Sequence, residues 1–221
     1  MSSNQDTDDG GSRRGRTRSA GAKREEILAA ATERFGRDGY EDTKWADIAA
    51  DVGVGPTALY HYFESKQHCL FVIMADAIED FHARFARIAA TERDFGRVVE
   101  LVFTDAFELT PLDVQRVRVL VAEQGLLARR RRSPREEQAR QVARERTRDL
   151  ELEWATFLAR AMEHGAVPEG DPRMLARAVL GLYNSIWQWY RPNGIVALTR
   201  IAEFFSDRTM ALIRLAPEAA A

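Results

Sequence analysis

Between Thr43 and Phe63 the chain reads TKWADIAADVGVGPTALYHYF, and its hydrogen-bonding side chains suit the reading of a surface rather than the turnover of a substrate. Thr57, Ala58, His61 and Tyr62 fall together on a short helix, away from the side that Leu59 and Phe63, four apart, share with Val54. One side packs and the other is free to read. No Ser/His/Asp arrangement, Walker sequence or GxGxxG accompanies them, so no catalytic residue and no enzyme activity are expected. His68 and Cys69 are separated from His82 by about 21 Å of helix at 1.5 Å per residue. No metal-ligand set, and no bound cofactor, is expected.

Two elements must hold that face in place. Thr43 can accept hydrogen bonds from free backbone N–H groups, which makes it the expected N-cap of a helix through Val52 with Ala46, Ile48, Ala49 and Val52 as its apolar side. Gly53 follows where the chain must reverse, because a residue without Cβ adopts positive φ cheaply. Pro56 then opens a second helix to about Phe63, its fixed φ already helical. Two short helices joined by a Gly-containing turn form the helix-turn-helix pattern, which places one helix in a DNA groove.

Residue identities carry further than periodicity. The run from Ile27 to Leu70 resembles the N-terminal domain of the TetR family of transcriptional regulators, through the spacing of Phe35, Gly39, Tyr40 and Thr43, the IA…GV core, and Leu59, Tyr60, Tyr62, Phe63, Ser65 and Lys66. This resemblance implies that Tyr60 and Lys66 bind phosphates and that Thr57, Ala58 and His61 face the groove. A phenol that donates to a phosphate oxygen and an ammonium at a helix N-terminus agree with those roles. Thr43, Lys44, Gly55, Pro56 and Tyr62 complete the expected DNA-binding set, although Tyr62 could equally be half-buried under the head. Gly55 stands where the family often has a capping serine; glycine caps nearly as well but has no hydroxyl to offer a phosphate.

The remainder of the 221 residues, 45% hydrophobic and 30% charged, is enough to bury a real core. No run of 18 apolar residues could span a bilayer, the first 24 residues have no apolar signal region, and the one cysteine, Cys69, fits a reducing compartment. A cytoplasmic protein without a membrane partner is expected. The net charge of -2 hides segregation: from Gly11 to Arg24 every charged residue is basic. That composition predicts a disordered basic arm over 1–21, which could enter a minor groove or serve only as a solubilising tail. A helix-turn-helix domain is expected over 22–66 and a ligand-binding and dimerisation domain over 67–221.

Helical periodicity continues throughout the second domain, with starts at Ser65, Asp94, Thr110, Ser133 and Asp171 and a last helix after Gly194. The expected fold is all-α, with about nine helices: a three-helix DNA-binding head and a C-terminal bundle, the fourth helix shared. Within the bundle Phe103, Phe107, Trp154, Phe157, Tyr183 and Trp187 are either core or the lining of a ligand cavity. Asn184 among them favours a cavity, because a buried amide needs a partner. The run Arg129 to Arg132 with Arg135 is either a solvated loop or a site for a nucleotide or CoA phosphate. WQWYRP, ending at Pro192, resembles TetR-family regulators of lipid and steroid breakdown that respond to acyl-CoA thioesters.

These features predict a ligand-responsive regulator, with double-stranded DNA, a small-molecule effector and a second copy of the chain as partners. Two heads about 34 to 36 Å apart would read successive major grooves of a palindrome. The expected dimer interface is built from Leu182, Ile186, Ile201, Phe204 and Phe205 on the last two helices. A constitutive or architectural DNA-binding protein would use the same head with a filled bundle.

Overall fold

The computed structural model describes residues 10–192 and 194–214, and side chains over 21–192 and 194–213. Regular structure among them is helical: α1 (Gly10–Asp38), α2 (Trp45–Asp51), α3 (Pro56–Tyr62), α4 (Lys66–Thr91), α5 (Phe95–Phe107), α6 (Pro111–Glu123), α7 (Pro134–Glu163), α8 (Pro172–Trp189) and α9 (Leu198–Arg214). A short 3-10 turn, Gln124–Ala128, follows α6.

Most starts are written as caps. The Ser65 hydroxyl accepts from His68 N at 3.0 Å, Asp94 from Arg97 N at 2.7 Å, and Asp171 from both Arg173 N and Met174 N. Thr110 and Asp113 form a reciprocal capping box. Such caps are worth about 1 kcal/mol each. Boundaries differ from expectation at α1 and α6, among others. The stretch expected to be disordered over 1–21 is helical from Gly10, while residues 1–9 lie outside the described residues. Once a helix is nucleated, each further residue adds a hydrogen bond, and no proline precedes Ala22 to stop it. Likewise α6 ends at Glu123 rather than Leu127, its last turn tightened into the 3-10 form around Gly125.

Two apolar clusters divide the molecule. The head cluster gathers Ile27, Phe35, Ile48, Leu59 and Phe63 with Leu70, Phe71 and Met74 of α4. The bundle cluster takes the distal part of α4, Ile78 and Phe85, with α5 to α9. The 26-residue α4 therefore belongs to both cores, as do α6, through Val119 in the head cluster, and α7, through Ala139 and Ala143. A second seam joins them where α1 meets α6. There Gly36 lets the helices lie so close that a Cβ would run into the Gln115 side chain.

Candidate nucleic-acid interface and effector cavity

The reading helix is held by its own buried side. Gly53 takes φ +65°, and the turn is closed by Gly53 N donating to Ala50 O at 3.1 Å and Val54 N to Ala49 O at 3.0 Å. Gly55 precedes α3 in an extended conformation with no side-chain cap, and Pro56 occupies the first turn. Leu59 and Phe63 are fully buried; Trp45 meets the Phe63 ring edge-on and Arg24 lies 5.2 Å from its centroid. Ile48, Ala49 and Val52 anchor α2 likewise, whereas Ala46, expected on that apolar side, faces solvent. What remains outward on α3 is Pro56, Thr57, Tyr60 at 53% exposure and His61, with Ala58 partly covered. Tyr62 is half-buried and packs against the head core. Lys44 is exposed at the start of α2.

One acidic side chain near this face, Asp51, is neutralised. Arg34 on α1 donates to both carboxylate oxygens of Asp51, at 2.5 and 2.7 Å, and this holds the Asp51 carboxyl below its ordinary range. Burial, followed by the charge of Arg135, lowers the affinity of His68 for a second proton.

Two residues expected at the DNA surface are turned inward. Thr43 is buried, its hydroxyl donating to Gly39 O at 2.7 Å, and the residue before α2 is Lys44, which makes no side-chain cap. The hydroxyl serves the turn out of α1 instead of the start of α2. Lys66 donates to Tyr40 O at 2.6 Å, Thr43 O at 2.9 Å and Glu41 O at 3.1 Å. An ammonium has three donors, so these carbonyls account for all of them and leave none for a phosphate.

Behind the head, a cavity of about 420 Å³ opens between α4, α6, the 3-10 turn, α7 and α8. Its wall is mostly apolar, with Ile78 and Phe81 of α4, Val117 and Leu120 of α6, Leu127, Leu150 and Leu180. Gln124, Thr147, Tyr183 and Asn184 add polar groups, and Arg144 and Arg148 stand one helical turn apart on α7 beside Glu151. The Tyr183 hydroxyl donates to Ala106 O at 3.2 Å, and burial pushes its pKa up, so it stays neutral. Among the described residues the side chains of Asn184, Arg144 and Arg148 make no hydrogen bond or ion pair. Size and lining lie within the range of small-molecule sites.

Only Tyr183 and Asn184 of the expected ligand set line this cavity. Phe103, Phe107, Trp154 and Trp187 form the aromatic core beside it: Trp154 stacks on Phe85 at 4.6 Å and Trp187 on Phe107 at 6.0 Å. The largest rings fill the helix seams, and space remains where the lining residues are smaller. Phe157 borders a separate groove between α4, α5 and α7, where His82 contacts Glu153. The arginine run is also displaced from its expected role. Arg131 lies over the Phe71 ring and donates to Leu126 O, while Arg129, Arg130, Arg132 and Arg135 are exposed outside the cavity. Glu137 is held at a pKa of about 2 by the paired hydrogen bonds of buried Arg140 and by Arg131 N.

Arg144 and Arg148 were not legible as site residues, since a chain this rich in arginine gives an isolated i,i+4 pair no contrast. For the outer surface, Ile186 and Ile201 are buried within the protomer and cannot serve an interface. Leu182 and Phe205 are half-buried, Phe204 is 58% exposed, and Met174 and Trp189 are exposed as well, the Trp189 ring lying 6.3 Å from that of Phe205. Each amphipathic helix here has its larger apolar side turned into its own bundle.

Residues 27–73 match the family model for bacterial regulatory proteins of the tetR family, and residues 115–213 match the model for the tetracyclin repressor-like C-terminal domain. In sequence the chain is 26% identical over 190 residues to the HTH-type transcriptional repressor KstR2 of Rhodococcus jostii (strain RHA1), covering 82% of this chain and 86% of that one. It is also 31% identical over 81 residues, 37% of each chain, to the HTH-type transcriptional regulator RutR of Escherichia coli (strain K12). Among solved structures it resembles the TetR family transcriptional regulator PfmR from Thermus thermophilus, with TM-score 0.68, 25% identity, and coverage of 85% of this chain and 97% of that one. AibR, solved in complex with isovaleryl coenzyme A and operator DNA, matches with TM-score 0.70 and 19% identity over 87% of this chain and 98% of that one.

Proposed function

Because the chain belongs to the TetR family of transcriptional regulators, we propose that it represses from a palindromic operator as a cytoplasmic homodimer and is released by a small amphipathic effector with an anionic head, of acyl-CoA or lipid-like class. Repression is supported by the sequence likeness to KstR2, which extends over most of both chains. The likeness to AibR is one of fold.

The observation that carries the effector reading is the composition of the cavity wall. An apolar interior accepts an acyl or fused-ring body, each buried CH₂ contributing about 0.8 kcal/mol. The free guanidinium groups of Arg144 and Arg148 offer charge-assisted bonds to a carbonyl, carboxylate or phosphate at the mouth. Because Ile78 and Phe81 belong to α4, an effector that wedges against them acts on the helix whose other end, from Leu70 to Met74, is part of the head core. Release from 99% to 1% occupancy needs a preference of about 10⁴-fold, roughly 5.5 kcal/mol, for the non-binding shape. A constitutive DNA-binding protein would have no use for an open cavity at that point, which favours the responsive reading.

DNA fragments selected by the pure protein and sequenced test the operator half of this reading. A palindrome whose half-sites lie about one helical turn apart is expected; the absence of any enriched motif would contradict it.

A further inference from the structure

A second opening, of about 570 Å³, lies where the head meets the bundle, between the C-terminal end of α1 and the sides of α6 and α8. Gly36 and Tyr40 line it from the head, and Arg118, Trp187, Gln188 and Arg191 from the bundle. It is separate from the effector cavity, which opens toward α7.

Two guanidinium groups face this cleft without a counter-ion. Arg118 donates through Nη1 to Gln115 Oε1 at 3.0 Å and weakly to Gly36 O at 3.4 Å, while its Nε is buried with no acceptor. Arg191 donates only to backbone carbonyls, Tyr190 O at 3.0 Å and Gln188 O at 3.4 Å. Among the described residues neither lies within ion-pair distance of a carboxylate. The two are near enough that Arg191, after burial, lowers the pKa of Arg118. The cleft's own acids are not paired with them: Asp38 is engaged by both arms of Arg37, and among the described residues Glu123 forms no ion pair with Arg118 or Arg191. Like charges gathered in a walled space fit an occupant that carries negative charge and several acceptors.

We propose that this cleft binds a phosphate-type oxyanion, held by Arg118 and Arg191 between the DNA-binding head and the bundle. A tetrahedral oxyanion presents enough oxygens to accept from both guanidinium groups at once, which a single carboxylate does less well. Bound there, it would tie α6 and α8 to the end of α1 beside Gly36, at the seam across which the head must move. The site goes beyond the effector reading and does not depend on it.

Calorimetric titration of the full chain, free of DNA and effector, with inorganic phosphate and separately with adenosine monophosphate tests the site. Chloride buffers of matched ionic strength remove bulk salt effects. One saturable site per chain is expected, weakened about tenfold or more in both Arg118→Gln and Arg191→Gln, as loss of a charge-assisted bond requires. The tighter of the two probes identifies whether free phosphate or a phosphate ester is the natural occupant. Arg191 is exposed, so its replacement leaves the fold intact even if Arg118→Gln disturbs packing. Saturable binding of neither probe, or affinity unchanged in the Arg191 variant, would overturn the proposal.

Discussion

Lys66 holds Tyr40 twice: its ammonium donates to the Tyr40 carbonyl at 2.6 Å and lies 4.3 Å from the centroid of the Tyr40 ring. With the further bonds to Glu41 O and Thr43 O, the first residue of α4 ties down the whole turn that connects α1 to α2.

Lys66→Met should therefore destabilise the head by roughly 2–4 kcal/mol, through loss of charged hydrogen bonds and the cation–π contact. Thermal unfolding measures this. In a titration of DNA affinity against salt the variant should keep the wild-type slope. A slope flatter by about one unit would put the ammonium on a phosphate instead.

On the reading face, Thr57 and His61 are outward while Leu59 and Phe63 anchor the helix. Thr57→Ala and His61→Ala should change preference among operator bases, costing about 1–3 kcal/mol on the cognate site and little on scrambled DNA. Equal losses on both duplexes would assign these side chains to the backbone or to folding.

The helix-turn-helix was legible because its signals are local: Gly53, Pro56 and the Leu59/Phe63 spacing each dictate backbone or packing within a few residues. The same holds for the caps at Ser65, Asp94, Thr110 and Asp171. Thr43 and Lys66 were misjudged because their partners lie at Gly39 and at Tyr40, Glu41 and Thr43, across a turn that periodicity does not describe. For the cavity, side-chain chemistry picked out the large aromatics, yet Trp154 and Trp187 are large enough to fill the seams. The open space fell beside Val117, Leu127 and Arg144, which nothing in the pattern distinguishes. Ile186 and Ile201 failed as interface residues for a related reason: an apolar stripe says that a side is buried, but not against what.

The outward side of α8 and α9 gives a test of dimerisation. Because Phe204 is exposed in the protomer, Phe204→Asp should leave helix content unchanged while sedimentation shows monomers with weakened operator binding. A dimer of normal stability would place the seam elsewhere. Ile201→Asp should instead unfold the bundle, since it buries an unpaired carboxylate within the chain.

Acid stability should report the Glu137–Arg140 pair. Glu137 is lowered from 4.5 to about 2 in the folded chain, so its contribution is present above pH 4.5 and is lost as pH falls toward 2. Glu137→Gln should flatten the dependence of unfolding free energy on pH across that interval, measured by urea denaturation. An unchanged dependence would mean that the paired geometry does not persist in solution.

The central claim, that an amphipathic anion in the α4/α6/α7/α8 cavity releases the operator, is tested most directly by fluorescence anisotropy of a preformed operator complex titrated with acyl-CoAs, free fatty acids and planar cations. The wild type should release DNA to an acyl-CoA or fatty acid and not to the cations. Arg144→Gln should bind the operator equally well but need about tenfold more effector, the cost of one charge-assisted bond. Release by planar cations alone, or by none of the compounds, would contradict the account, as would an Arg144 variant that responds at wild-type concentrations.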